Sequence, residues 1–142
     1  MSAAVAPTIR RLTAPELKKT KAMPAAGATA NGDSIDLGQD VLGPEADNIE
    51  VVVAHDACGS LADSKTITST IQDSADNASF AALAGVPTVV SLGAGGVGDT
   101  AKSVRMKLPP GTRRYIRLSS TVQGSGGDNT ASNSSITLYT NC

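Results

Sequence analysis

Aromatic residues are almost missing from this 142-residue chain, which has no tryptophan, two tyrosines (Tyr115 and Tyr139) and one phenylalanine, Phe80. Aromatic side chains supply much of the buried area in most cores and binding hot spots. Packing must therefore rest on Val, Ile, Leu and Ala, and platforms for stacking bases or sugars have few candidates. A thinly aromatic core is also a reason for a protein to gain stability by assembling onto something larger. Histidine is limited to His55 and cysteine to Cys58 and Cys142, with no CxxC pair and no second His at metal-ligand spacing. The first 20 residues contain no apolar run long enough for an export signal or a membrane span. The expected setting is a reducing cytoplasm with no membrane partner. Closely spaced Pro7, Pro15 and Pro24 exclude a long helix near the start.

The positive signals are those of short strands. Residues 108–123 read L-P-P-G-T-R-R-Y-I-R-L-S-S-T-V-Q. After the Pro-Pro-Gly turn, Ile116, Leu118, Ser120 and Val122 alternate with Tyr115, Arg117, Ser119 and Thr121, the period of a strand with one buried face. The same period recurs in residues 103–108, with Val104, Met106 and Leu108 inward, and in residues 66–72, where Ile67, Ser69 and Ile71 oppose a Thr-lined face. Residues 35–37, 49–54, 86–92 and 135–140 complete the set. Phe80 is expected as a core plug beneath the loop at residues 73–79. Roughly seven or eight short antiparallel strands separated by turn residues, with no helix of three turns, predict an all-β, jelly-roll-like sandwich. Its expected bounds are residues 34–142, preceded by an extended basic N-terminal arm at residues 1–33.

Charge is segregated although the net value is only −1. Residues 1–30 hold Arg10, Arg11, Lys18, Lys19 and Lys21 against Glu16; residues 31–100 hold eleven acids against Lys65; beyond them Lys102, Arg105, Lys107, Arg113, Arg114 and Arg117 face Asp128 alone. Such blocks complement one another within a monomer, between subunits or against a larger partner.

Motifs with catalytic or cofactor chemistry fail on their context. Residues 93–98, G-A-G-G-V-G, satisfy G-x-G-x-x-G, but no helix-length segment follows and no acid stands about 20 positions on for a ribose; a glycine-rich turn is expected. His55-Asp56 with Ser60 or Ser64 lacks a nucleophile elbow. Asp73, Asp76 and Asn77, or Asp128 and Asn129, lack the full calcium-loop run and its distal Glu. No enzyme activity, cofactor or metal is expected.

The elements I-D-L-G at residues 35–38, L-P-P-G at 108–111, R-Y-I-R-L at 114–118, D-S-A-D-N-A-S-F at 73–80 and the closing strand at 136–139 together resemble the capsid cement, or decoration, proteins of tailed bacteriophages. The likeness is closest to the family known from the Bordetella podophage capsid, and it spans residues 34–140. The resemblance implies a jelly-roll-like sandwich on the outer surface of an icosahedral head, made in the host cytoplasm. Its implied partners are the major capsid protein and itself, as homodimer or homotrimer. On that reading Arg10, Arg11, Leu12, Leu17, Lys18, Lys19 and Lys21 contact the capsid, and Arg113, Arg114, Tyr115, Arg117 and Tyr139 meet a neighbouring subunit. Deleting residues 1–25 is expected to abolish shell binding without unfolding the sandwich. The alternatives are a receptor- or glycan-binding β-module of a virion and a single-strand nucleic-acid binder, the latter disfavoured by the acidic middle of the chain.

Overall fold

A computed structural model describes residues 11–12, 18–41 and 49–141. Among them every regular element is a strand: β1 (Arg11–Leu12), β2 (Lys18–Ala22), β3 (Thr29–Asn31), β4 (Ile35–Val41), β5 (Ile49–His55), β6 (Thr66–Ser74), β7 (Ala81–Ala82), β8 (Val89–Leu92), β9 (Lys102–Lys107), β10 (Arg113–Val122) and β11 (Asn133–Asn141). The long strands follow the alternation of their residues. In β6, for example, Ile67, Ser69 and Ile71 are buried while Thr66, Thr68, Thr70 and Gln72 are half-covered.

The strands form two antiparallel sheets. In the first, β1 and β2 lie end to end along one side of β11, and β11, β5 and β9 follow in order. In the second, β3 and β4 share one side of β10, and β7 and β8 share the far side of β6. Each sheet is thus four rows wide, so the eleven strands fill eight rows, matching the expected number of strands. Along the chain the path passes from β2 in the first sheet to β3 and β4 in the second, then β5, then β6 to β8, then β9, β10 and β11 in alternation. That succession is a jelly roll.

Where it is described, the segment expected as an arm is extended but belongs to the sheets. β2 pairs with β11 from Lys18↔Thr137 to Ala22↔Asn133, and β3 pairs with β10 from Thr29↔Thr121 to Asn31↔Ser119. Met23 follows β2 directly into the interior, where 1% of its surface is exposed. A lysine-rich strand suits this position, because an open sheet edge is protected from unwanted pairing by charge.

The interior has three levels. The main cluster joins Val51 and Val53 of β5, Ile71 of β6, Ile116 and Leu118 of β10, and Ile136 and Leu138 of β11, with Ile35, Val89, Met106 and Leu108. A second cluster at one end holds Met23, Cys58, Leu61, Ile67 and Val122. Between them the inward positions of five strands are polar: His55, Ser69, Ser91, Ser120 and Ser134, all buried. The expectation for Phe80 is not met. Its ring is half-buried beneath the Arg117 guanidinium, 4.0 Å from the centroid, and Leu83 packs against the core from that segment instead.

Candidate functional site

The outer face of the second sheet, carried by β10, is lined with polar side chains held in register. Register places Thr29, Thr121 and Thr68 in one row, Asn31, Ser119 and Thr70 in the next, and Arg117 beside Gln72 in the third. These neighbours are bonded to one another. The Thr29 and Thr121 hydroxyls are 2.8 Å apart, the Ser119 hydroxyl donates to Asn31 Oδ1 at 2.7 Å, and Arg117 Nε donates to Gln72 Oε1 at 2.8 Å. Short side chains held in this way have little rotamer freedom left to lose when a partner covers them.

The charge blocks largely complement each other within the monomer. Arg113 Nη2 donates to Asp73 Oδ1 and to the Asp73 carbonyl, each at 2.9 Å, while the Arg113 backbone N–H donates to Oδ2 at 3.0 Å. Burial raises the Asp73 carboxyl, but these Arg113 bonds outweigh it and hold the group below the usual carboxylate range. Arg114 grips Asp36 with two bonds, at 2.8 and 3.0 Å, and lies 5.3 Å from the Tyr115 ring centroid. Arg105 reaches Glu50 at 3.0 Å and Lys102 reaches Asp99 at 2.7 Å. Tyr139 is opposite Glu50 on the outer face of the first sheet, apart from the β10 group with which it was expected to act.

Of the residues expected to touch a capsid, Arg10 and Leu17 lie outside the described residues, and Arg11 and Leu12 form β1. Lys18, Lys19 and Lys21 line β2. Directly opposed residues of an antiparallel pair share a face, so Lys18 points outward with Thr137. Lys19 and Lys21, opposite Ile136 and Ser134, lie on the face of the first sheet that turns toward the second. None of the three lysines makes an ion pair with a described carboxylate.

His55 joins a chain of hydroxyls through the interior. Its Nδ1 is 2.8 Å from Ser91 Oγ and its Nε2 is 2.6 Å from Ser69 Oγ; Ser69 reaches Ser120 at 2.6 Å, and Ser120 reaches Ser134 at 3.2 Å. The last hydroxyl points at the Lys21 carbonyl across 3.5 Å. His55 and Ser134 are register partners, as are Ser69 and Ser120, so the chain crosses from sheet to sheet and back. The distances suit a base and a nucleophile, but His55 is 2% exposed and Ser91 fully buried; no substrate atom reaches either hydroxyl. Neither Ser60 nor Ser64 is the partner of this histidine. The sequence signal for the layer is a serine at the inward position of four separate strands.

The glycine-rich stretch docks on a neighbouring segment. A Cβ at Gly98, where φ is +70°, would lie 1.8 Å from the Cys58 carbonyl oxygen, and one at Gly93 would lie 2.2 Å from that of Ala62. Gly98 thereby lets Asp99 exchange backbone hydrogen bonds with Cys58, at 2.9 and 3.1 Å. Residues 93–101 lead into strand β9, and no helix opens there. Cys58 is a free buried thiol, raised above its ordinary value chiefly by burial. The acids considered for calcium cap turns. Asp76 Oδ1 accepts from the Ser74 hydroxyl and from the Ala78 and Ser79 N–H groups, and Asp128 Oδ1 from the Thr130 hydroxyl and N–H.

A sequence model of one family, Bbp16, matches residues 18–138. No curated protein sequence matches the chain. Among solved structures, a pilus protein of Bacillus endospore appendages is 13% identical, with 99% of this chain and 96% of that one covered at a TM-score of 0.48. A xylan-binding module, CBM15, is 10% identical over 95% and 97% at 0.44. The CBM6-3 module of Clostridium stercorarium, solved with cellobiose, is 12% identical over 99% and 86% at 0.36. At these scores and identities the likenesses carry no argument about ligand or partner.

Proposed function

Since the chain belongs to the Bbp16 family, we propose that it is a non-enzymatic virion structural protein, a cement or decoration protein that binds the outer surface of an icosahedral phage head. It bridges neighbouring major capsid subunits there, as a homo-oligomer, after being made in the host cytoplasm. The observation that carries this reading is the outer face of the second sheet, a broad array of Thr, Ser, Asn and Gln already bonded side by side. Such a face suits another protein surface better than a small ligand, and many weak contacts repeated over a lattice act together. A protein that binds only the assembled shell stabilises it by linkage. The β2 lysines, without ion pairs to described carboxylates, add a basic rim for acidic capsid surface.

The glycan-binding alternative needs open aromatic faces. Here Phe80 is covered by Arg117 and Tyr115 by Arg114, so a sugar stacking on either ring would have to displace a guanidinium, and Tyr139 lies on the other sheet, away from both. Against the nucleic-acid alternative, Lys102, Arg105, Arg113 and Arg114 already face carboxylates, which leaves the short β2 lysine row, with no aromatic ring on its strand for a base to stack on, as the basic surface.

The test is the rupture temperature of empty expanded heads with and without the protein. Wild type raises it, and the surface variant T68R/T121R, folded with an unchanged melting temperature, does not. A rupture temperature indifferent to wild-type protein contradicts the reading.

A further inference from the structure

We propose that His55 and Lys102 form a proton-operated latch on the rim between β8 and β9, closing the two sheets against each other there while His55 is neutral and releasing them when its ring takes up a proton. The proposal stands whether or not the chain binds a shell.

β8 belongs to the second sheet and β9 to the first, and no backbone ladder joins them. Side chains close the rim instead. On its outer side Lys102 Nζ donates to the Val90 carbonyl at 3.0 Å and pairs with Asp99 Oδ2 at 2.7 Å, and the same Asp99 oxygen accepts the Leu92 N–H at 2.9 Å. On its inner side His55 bonds Ser91 of β8. His55 and Lys102 are register partners on β5 and β9, so both side chains leave the same face of the first sheet and reach β8. Beyond these contacts the strand is held by one ladder, four register pairs with β6, and by Val89, which is buried in the main core; Val90 and Leu92 are 40% and 52% exposed.

The hydroxyl chain decides where a proton would go. In the latch the chain runs toward the Lys21 carbonyl, 3.5 Å from the Ser134 hydroxyl: Ser120 donates to Ser134, Ser69 to Ser120, and the His55 Nε2–H to Ser69, the sense in which every hydroxyl of the row has an acceptor. Nδ1 is left to accept from Ser91. An added proton must sit on Nδ1, which turns Ser91 from donor to acceptor in a place where its own hydrogen loses its partner. The charged ring then faces the Lys102 ammonium from β9. Asp56, next in the chain, and Asp99, before β9, oppose that repulsion; β6, β8, β10 and β11 offer only the hydroxyls of Ser69, Ser91, Ser120 and Ser134.

Burial first, and Lys102 second, lower the His55 pKa from 6.5 to about 4, against the smaller raising effects of Asp99 and Asp56. The opened rim protonates near 6.5 and the closed rim near 4. Closure is therefore independent of pH well above 6.5, weakens by roughly tenfold per pH unit as pH falls from 6.5 toward 4, and levels off below 4. The lowered carboxyls Asp73, Asp76, Asp99 and Asp128 titrate beneath this window.

An NMR titration of the full chain from pH 7.5 to 3.5 tests the latch. The His55 ring resonance of wild type titrates near 4, and the β8 and β9 amides change with the same midpoint while amides of β10 and β11 in the main core hold. Lys102→Gln removes both the repulsion and the bonds of the ammonium to Val90 and Asp99, and each of these losses raises the midpoint. His55→Gln, if it folds, abolishes the β8 and β9 changes. A ring midpoint near 6.5, an unmoved midpoint in Lys102→Gln, equal β8 changes in His55→Gln, or simultaneous loss of all amides would overturn the proposal.

Discussion

Removing residues 1–25 is predicted to damage the fold, which separates the role of the N-terminal charge from that of the N-terminal chain. The deletion strips β1 and β2 from β11 and takes Met23 out of the second core cluster. The hydrogen bonds of the lost ladder, about 1 kcal/mol net apiece, are roughly offset by the conformational entropy of residues that no longer need ordering, about 1–2 kcal/mol each. The unbalanced loss is Met23 and the uncovering of Leu61, Ile67 and Val122 beside it, which by analogy with large-to-small core changes is about 3–5 kcal/mol. That is a large share of a typical domain stability of about 5–15 kcal/mol, and corresponds to a fall in melting temperature of about 10 °C or more. The triple change K18Q/K19Q/K21Q removes the charge of β2 and keeps its backbone, and should cost less than about 1 kcal/mol, because all three side chains are at the edge. Urea unfolding of wild type, deletion and triple variant measures the difference. A deletion that unfolds at the wild-type midpoint refutes the placement of β2 and Met23 within the sandwich. Head binding lost by the triple variant, with its stability intact, assigns the role to charge.

Gly98→Ala should cost about 3 kcal/mol or more, since it combines a left-handed backbone with displacement of the Cys58–Asp99 bridge; Gly95→Ala, left-handed but in open space, should cost about 1 kcal/mol, and equal midpoints for the two would contradict the docking role of the stretch. Arg113→Met leaves the buried Asp73 Oδ1 without its partner and should cost about 2 kcal/mol by denaturant unfolding. Because Asp73 is held below its ordinary value when folded, its contribution is present above the unfolded carboxyl pKa and lost as pH falls through the folded one; the variant should show a shallower loss of stability at the acid end.

The long strands were legible because their residues keep one period. Ile116, Leu118 and Val122 are buried as the alternation in β10 requires, and the Arg105 and Lys107 positions face outward in β9. β2 and β3 were not legible as sheet members, since K-K-T-K-A and T-A-N have no apolar face to reveal; edge rows at an open rim need none. The ion pairs that neutralise the charge blocks join residues far apart, Arg114 with Asp36 and Arg113 with Asp73, so composition gave the blocks and only the register of β10 gave the partners. Phe80 misled because a lone ring among aliphatics reads as core, whereas the cation above it offers an outer site of comparable worth. The His55 layer escaped notice because an inward serine looks like an interruption of a hydrophobic pattern until several strands carry one at the same level.

Binding to assembled shells bears most directly on the central claim. Cosedimentation with empty expanded heads built from the cognate major capsid protein should give saturable binding at a fixed ratio to capsid subunits, with none to unassembled subunits. Unsaturable or absent binding to heads, or equal binding to free subunits, would contradict the account.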